Sequence, residues 1–198
     1  MERQLLSQMA SKRQHKLFWG SSYDRGLDIL LDMWPEIIAK FPNATLDVCY
    51  GWDLFDARFR NNPERMSWRN KLAEQMKSKG ITHYGRVGKK ELANIRSRCG
   101  VWAYPTYFPE INCITALDAQ GDGLVPVCTD LAALSETVGA GVRITGDIYL
   151  PKTRKNFLEA LLGVMENEDY WNFESKKAMG FAKDYKWENI AKIWTKYF

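Results

Sequence analysis

The 198-residue sequence has little of what metal and covalent sites are made from. Its four cysteines, Cys49, Cys99, Cys113 and Cys128, form no C-x-x-C pair, and only two histidines occur, His15 and His83. No Cys/His cluster stands at ligand spacing, so no structural zinc site and no other metal site is expected. Three of the cysteines sit within apolar segments, where free buried thiols in a reducing compartment are the simplest reading. Neither histidine has an evident Ser or Cys nucleophile, which leaves an acyl-transfer triad unsupported. No apolar run reaches the roughly 20 residues that span a bilayer. No apolar core follows the N-terminal charges, so no secretory signal is expected. The expected location is cytoplasmic, with peripheral membrane contact left open. The glycine-rich G-x-G-x-x-G fingerprint of dehydrogenases is missing after the first strand, which weakens an NAD-binding reading. Internal repeats and low-complexity tracts are also missing.

What is present is an ordinary globular balance, 45% hydrophobic and 26% charged residues. The length suffices for a real core in one domain, or at most two small ones. The net charge of +4 comes with no long basic run. That suits a phosphorylated ligand and does not argue for nucleic acid.

Residues 1–16 are polar and read as a leader or linker, with His15 inert in it and the domain occupying 17–198. Short apolar runs then alternate with helical spacing. Strands are expected at 17–20, 45–50, 81–84, 101–104, 125–128 and 142–144. Helices are expected at 24–40, 63–79, 89–98, 111–120 and 131–138, with two or three more from Lys152 onward. Pro35 should kink the first helix or begin its second part. Alternating strands and helices at this spacing predict right-handed β-α-β units. The fold class is therefore α/β, a doubly wound parallel sheet of Rossmann-like type, with ligands at the carboxyl ends of the strands.

Two strand-to-helix turns carry candidate chemistry. The first is Gly20-Ser-Ser-Tyr-Asp-Arg-Gly26. Gly20, Ser21 and Ser22 let the backbone approach a ligand, the following helix start presents free N–H groups to an anion, and Arg25 can fork onto a diphosphate. The plainer account is a βα turn with Ser22 or Asp24 as N-cap. The second turn runs from Tyr104 to Asp118. Glu110 precedes the helix and Asp118 follows eight residues later, about two turns on. The N–H groups of Asn112, Cys113 and Ile114 would form a second anion-binding helix start. The plainer account has Glu110 complementing the helix dipole and Asp118 solvated on an outer face.

At this segment the sequence resembles the retaining GT-B glycosyltransferases of family 4. Pro105-Thr106, Glu110 and Asp118 stand where that family has Pro-Ser, a first acid and, after seven residues, a second acid. Gly123-Leu-Val-Pro-Val127 is similar to its Gly-x-Pro-Val-Val strand. Leu134-Ser-Glu-Thr-Val138 is similar to its Glu-containing helix start, Tyr84-Gly-Arg-Val-Gly88 to its Gly-x-Val turn, and Ser21–Leu31 to its basic-Gly-x-x-x-Leu-Leu helix. The ordered set covers about residues 17–145.

The resemblance implies a C-terminal, donor-binding half-domain for a nucleotide sugar linked to UDP or GDP, with a hexose transferred to a glycan or lipid. Arg25 would bind the diphosphate and Glu110 the donor sugar, as the catalytic pair. Asp118 would hold the ribose. Asn112, Cys113, Ile114 and Thr115 would meet phosphate or sugar through their backbone. Arg86 and Val87 would flank the base. No metal or other cofactor is implied, since the nucleotide sugar is a substrate.

Ser21 stands where the family often has a basic residue, and Asp118 is one methylene shorter than the family's Glu. A non-enzymatic nucleotide-binding or interaction module with the same fold therefore remains the alternative. The acceptor-binding domain or partner chain that such an enzyme needs has no room here, so this chain alone is expected to be inactive or weakly active. Nine of the 26 aromatics (8 Trp, 9 Tyr, 9 Phe) lie between Tyr170 and Phe198. Packing onto the sheet is the favoured reading for them and an interface with another domain is the second.

Overall fold

The computed structural model describes residues 12–197. Most of the expected leader, residues 1–11, lies outside them, as does Phe198. Arg13–His15 form a 3-10 turn and Lys16 already belongs to the first strand. Arg13 donates to the carbonyls of Cys99 and Asp122, and His15 Nε2 lies 3.0 Å from the Met165 carbonyl. Far from being inert, His15 ties the start of the fold to a distant helix.

Six parallel strands form one sheet: β1 (Lys16–Trp19), β2 (Thr45–Cys49), β3 (Ile81–Gly85), β4 (Val101–Tyr104), β5 (Val125–Thr129) and β6 (Val142–Ile144). Their spatial order is β3-β2-β1-β4-β5-β6. β4 and β5 are buried at every residue, as strands covered on both faces must be. The chain builds outward from β1 through β2 to β3, then crosses back to β4 and builds the other way. β1 pairs with β2 on one side, Leu17 opposite Leu46, and with β4 on the other, Leu17 opposite Val101. The topological switch therefore falls between β1 and β4. Their outgoing loops diverge there and leave a crevice.

The helices are α1 (Leu27–Lys40), α2 (Asp53–Phe59), α3 (Pro63–Gln75), α4 (Lys89–Ser97), α5 (Ile114–Gly121), α6 (Leu134–Thr137), α7 (Pro151–Glu166), α8 (Glu168–Lys183) and α9 (Trp187–Trp194). α1 buries Leu27, Leu30, Leu31, Trp34 and Ile37, the spacing of one helical face. Pro35 neither ends nor restarts it, because Trp34 and Ile37 hold both halves on the core. Its N-terminus lies later than expected: residues 23–25 form a separate 3-10 turn, and Gly26 breaks the path at φ 110°. α3 begins at Pro63, after Asn62, whose side chain accepts from the Arg65 N–H. α2 was not expected; it carries no buried residue and so gives no strong apolar stripe. α5 starts at Ile114, three residues later than the spacing suggests.

The C-terminal aromatics divide. Trp171 is buried and donates from its indole to the Gly100 carbonyl. Phe173, Trp187, Trp194 and Tyr197 are exposed, and α9 buries none of its residues. Packing on the sheet thus accounts for only part of the set. All four cysteines are free and buried. No helix among the described residues is long and apolar enough to cross a membrane.

Gly26 joins the two halves of the crevice. A Cβ built on it would lie 2.3 Å from the Pro105 carbonyl oxygen, and its φ is one that L side chains rarely adopt. Gly26→Ala should therefore cost about 1–3 kcal/mol in backbone strain alone, with the clash added. Equilibrium denaturation with urea measures this, and Gly163→Ala, in a helix with open space around it, serves as the control that should not destabilise.

Candidate functional site

The crevice is walled by two loops, residues 20–26 after β1 and residues 105–113 after β4. Between them Arg25 Nη1 donates to Glu110 Oε1 at 3.0 Å. Both side chains are mostly withdrawn from water. The same carboxylate oxygen accepts from the Tyr104 hydroxyl at 2.8 Å. The Arg25 guanidinium also lies over the Phe108 ring, 3.2 Å from its centroid. Arg25 is thus fixed by a carboxylate and an aromatic face together, and Glu110 by a cation and a phenol. A guanidinium has five donors in a rigid fork. The bond to Glu110 uses one nitrogen and leaves others for a second anion.

The loop geometry makes this meeting. The Tyr107 hydroxyl donates to the Asp24 carbonyl at 2.7 Å, and Gly26 abuts Pro105, so the two loops are stitched on either side of Arg25. Ser22 donates to Asp24 Oδ1 at 2.6 Å, and Ser21 Oγ stands 3.5 Å from the Thr115 hydroxyl. On the opposite loop, Glu110 to Cys113 is not helical, and Cys113 caps α5. Ile114 and Thr115 open that helix, and their N–H groups have no carbonyl a turn earlier to bond. Burial pushes the Cys113 thiol up to about 12, so it is a neutral wall and no nucleophile at neutral pH.

Most of the residues singled out from the sequence come together. Gly20, Ser21, Ser22 and Arg25 from one loop line a cavity of about 240 Å³ with Glu110, Asn112, Cys113, Ile114 and Thr115 from the other. Arg86 and Val87 line an adjoining cavity of about 220 Å³ with Cys49, Leu54 and Leu92; Gly20 and Tyr50 border both. Among the described residues no group of three or more His, Cys, Asp or Glu stands where it could hold a metal ion.

Asp118 is the exception. It lines neither cavity; instead Arg96 of α4 donates to it at 3.1 Å and to Asp122 at 2.6 Å. Arg96 is buried, so its charge must be matched, and Asp118 and Asp122 stand one turn apart on α5 to match it. The expectation that Asp118 faces the ligand beside Glu110 is corrected accordingly. The eight-residue spacing suggested one face only if the helix began near Glu110, and it begins at Ile114.

Tyr50 was missed. It borders both cavities and is a non-glycine residue at φ 142°. Such strain gathers at functional sites, and no sequence pattern reports it. Tyr104 and Phe108, which fix Glu110 and Arg25, were read only as parts of a strand and a loop. Their signal was their place at the carboxyl end of a central strand.

The fold and this crevice define a class: a Rossmann-like α/β domain whose cleft lies at the topological switch point. No protein-family model matches the sequence, and a search of curated proteins finds no match. Solved structures do match. The pneumococcal O-GlcNAc transferase GtfA, in complex with UDP and GlcNAc, superposes with a TM-score of 0.72 at 16% identity, over 94% of this chain and 35% of that one. Sucrose-phosphate synthase from Thermosynechococcus elongatus gives 0.74 at 17% identity, over 98% and 46%. Anabaena HepE with UDP and glucose gives 0.68 at 15% identity, over 98% and 51%. The chain thus spans about a third to a half of the length of these structures. At such identities the likeness shows the fold.

His83 gives the stability of the fold a pH dependence. Tyr23 Oη accepts from the Gly51 N–H at 2.8 Å and lies 2.7 Å from His83 Nε2. Burial and then Arg69 lower the imidazole pKa below its ordinary 6.5. The folded state therefore favours neutral His83, and the unfolded chain binds more protons between the two values. Stability should fall as pH drops from about 6.5 through the lowered folded value. His83→Gln should flatten that part of a stability–pH curve; an unchanged slope would exclude His83 as its source.

Proposed function

We propose that this domain binds the donor of a retaining glycosyltransferase of family 4 type, as its C-terminal half. The donor is a hexose linked to UDP or GDP. The observation that carries this reading is the Arg25–Glu110 pair at the mouth of the β1–β4 crevice, in one cavity with the start of α5. Arg25 supplies the cation for a diphosphate, and the N–H groups at Ile114 and Thr115 supply the positive helix end. Glu110, held by Arg25 and Tyr104, is oriented to accept from sugar hydroxyls. The cavity at Arg86 and Val87 is the place for the base, next to the diphosphate across Gly20 and Tyr50. UDP is the first nucleotide to try, because two of the similar structures hold it.

Breaking the bond to a nucleoside diphosphate leaves charge on the departing phosphate. The groups that stabilise that charge in the transition state are the ones that accelerate the step. Here those are Arg25 and the first turn of α5, with no metal in the scheme. Asp118 has no part in it while Arg96 holds it. An acceptor-binding domain or partner chain completes the cleft, so this chain alone binds donor and transfers little or nothing.

The alternative, a binding module without chemistry, draws weight from the compensation of Arg25 by Glu110 and from Ser21 in place of a second cation. A thermal-shift panel with UDP, GDP, ADP, their sugars and the free nucleosides decides the first point. A nucleotide at about 100 times its Kd should stabilise by about 2.7 kcal/mol. Arg25→Ala should weaken UDP by about 10- to 100-fold, the worth of a charge-assisted hydrogen bond of about 1.5–3 kcal/mol, and leave uridine almost unchanged. Equal losses for both remove Arg25 from the diphosphate, and no response to any nucleotide removes the donor reading. Hydrolysis or transfer of a bound UDP-sugar after adding an acceptor domain separates enzyme from module.

A further inference from the structure

Behind Arg25 lies a third cavity, of about 380 Å³, that the donor reading does not use. That is the lower part of the range for small-molecule sites, about 300–1,000 Å³. One wall is the loop after β1, with Ser22, Asp24 and Arg25; the other is the segment after β2 that contains α2. Ser22, Arg25 and Tyr50 also line the cavity that holds Glu110. The two spaces are therefore neighbours across one wall of side chains.

The lining has three kinds of chemistry. Phe55, Phe59 and Phe108 supply aromatic surface. The Asp24 carboxylate and the Ser22 hydroxyl, which donates to it at 2.6 Å, supply acceptor oxygens for hydroxyl groups. Arg58, on α2, supplies a cation. Arg25 is neutralised by Glu110, whereas Arg58 has no carboxylate partner among the described residues and touches only the Phe59 ring, 5.2 Å from its centroid. Asp24 repels an anion on its own wall, so a negative group belongs at the α2 wall.

The geometry points to a second ligand site here, one that takes a hexose ring carrying a carboxylate or a phosphate. The ring's apolar faces meet the phenylalanines, its hydroxyls meet Asp24 and Ser22, and its anionic group meets Arg58. An occupant so placed lies across Arg25 and Tyr50 from the donor sugar. The site's binding of an anionic sugar does not depend on the proposed donor reading.

The test uses the full chain and isothermal titration with glucuronate, glucose 6-phosphate and glucose, each with and without saturating UDP. Both anionic sugars should bind at least tenfold more tightly than glucose. Arg58→Gln, at an exposed position, should bring them down to the level of glucose and leave UDP binding unchanged. UDP should not displace them. If neither anionic sugar binds, if Arg58→Gln changes nothing, or if UDP competes, the site is not the one described. A chain that fails to bind UDP but passes the Arg58 contrast refutes the donor reading and keeps this one.

Discussion

The structure of the site depends on one close approach: the backbone at Gly26 against the carbonyl of Pro105. Strands β1 and β4 are neighbours, so the loops that leave them start side by side. Neighbouring starts do not by themselves make a site. A side chain at position 26 would push the loops apart, and the Tyr107 hydroxyl could not reach the Asp24 carbonyl. With glycine there, the chain turns through a left-handed conformation and α1 starts directly behind Arg25. Arg25 is then delivered to Glu110, 85 residues later in sequence.

Charge in this domain is handled by two similar devices with opposite consequences. Arg25 meets Glu110 at the crevice, partly open to solvent, with guanidinium donors left over. Arg96 meets Asp118 and Asp122 at a buried position, where its charge is matched by two carboxylates. The first arrangement can accept an incoming anion; the second is a structural clamp between α4 and α5. The two carboxylates that the sequence spacing seemed to dedicate to one ligand therefore serve different ends. Arg96 is buried, and Asp118 and Asp122 share in matching its charge.

The periphery is less finished than the centre. α9 exposes Trp187 and Trp194, Tyr197 is exposed just beyond it, and the solved structures of the same fold are two to three times as long as the part this chain matches. The sheet itself is complete, with its core in Trp19, Trp102, Tyr104, Phe18 and Phe157, all fully buried. The fold therefore stands on its own core.

The strands, most helices and the parallel class were legible in the sequence because each depends on local periodicity. A buried parallel strand is a short apolar run and an amphipathic helix repeats its apolar residues every three or four, whatever lies elsewhere. The loop residues at the crevice were legible for a related reason: in a doubly wound sheet, chemistry gathers after the carboxyl ends of the central strands, and Gly20–Arg25 and Glu110–Thr115 follow two of them. Other features were not legible. The late start of α5, the strained Tyr50, the Tyr104 and Phe108 supports and the capture of Asp118 by Arg96 all arise between segments far apart in the chain. Local patterns set where strands and helices form. Only the folded contacts, which pit desolvation against pairing for each buried charge, decided that Glu110 lines the crevice while Asp118 pairs with the buried Arg96.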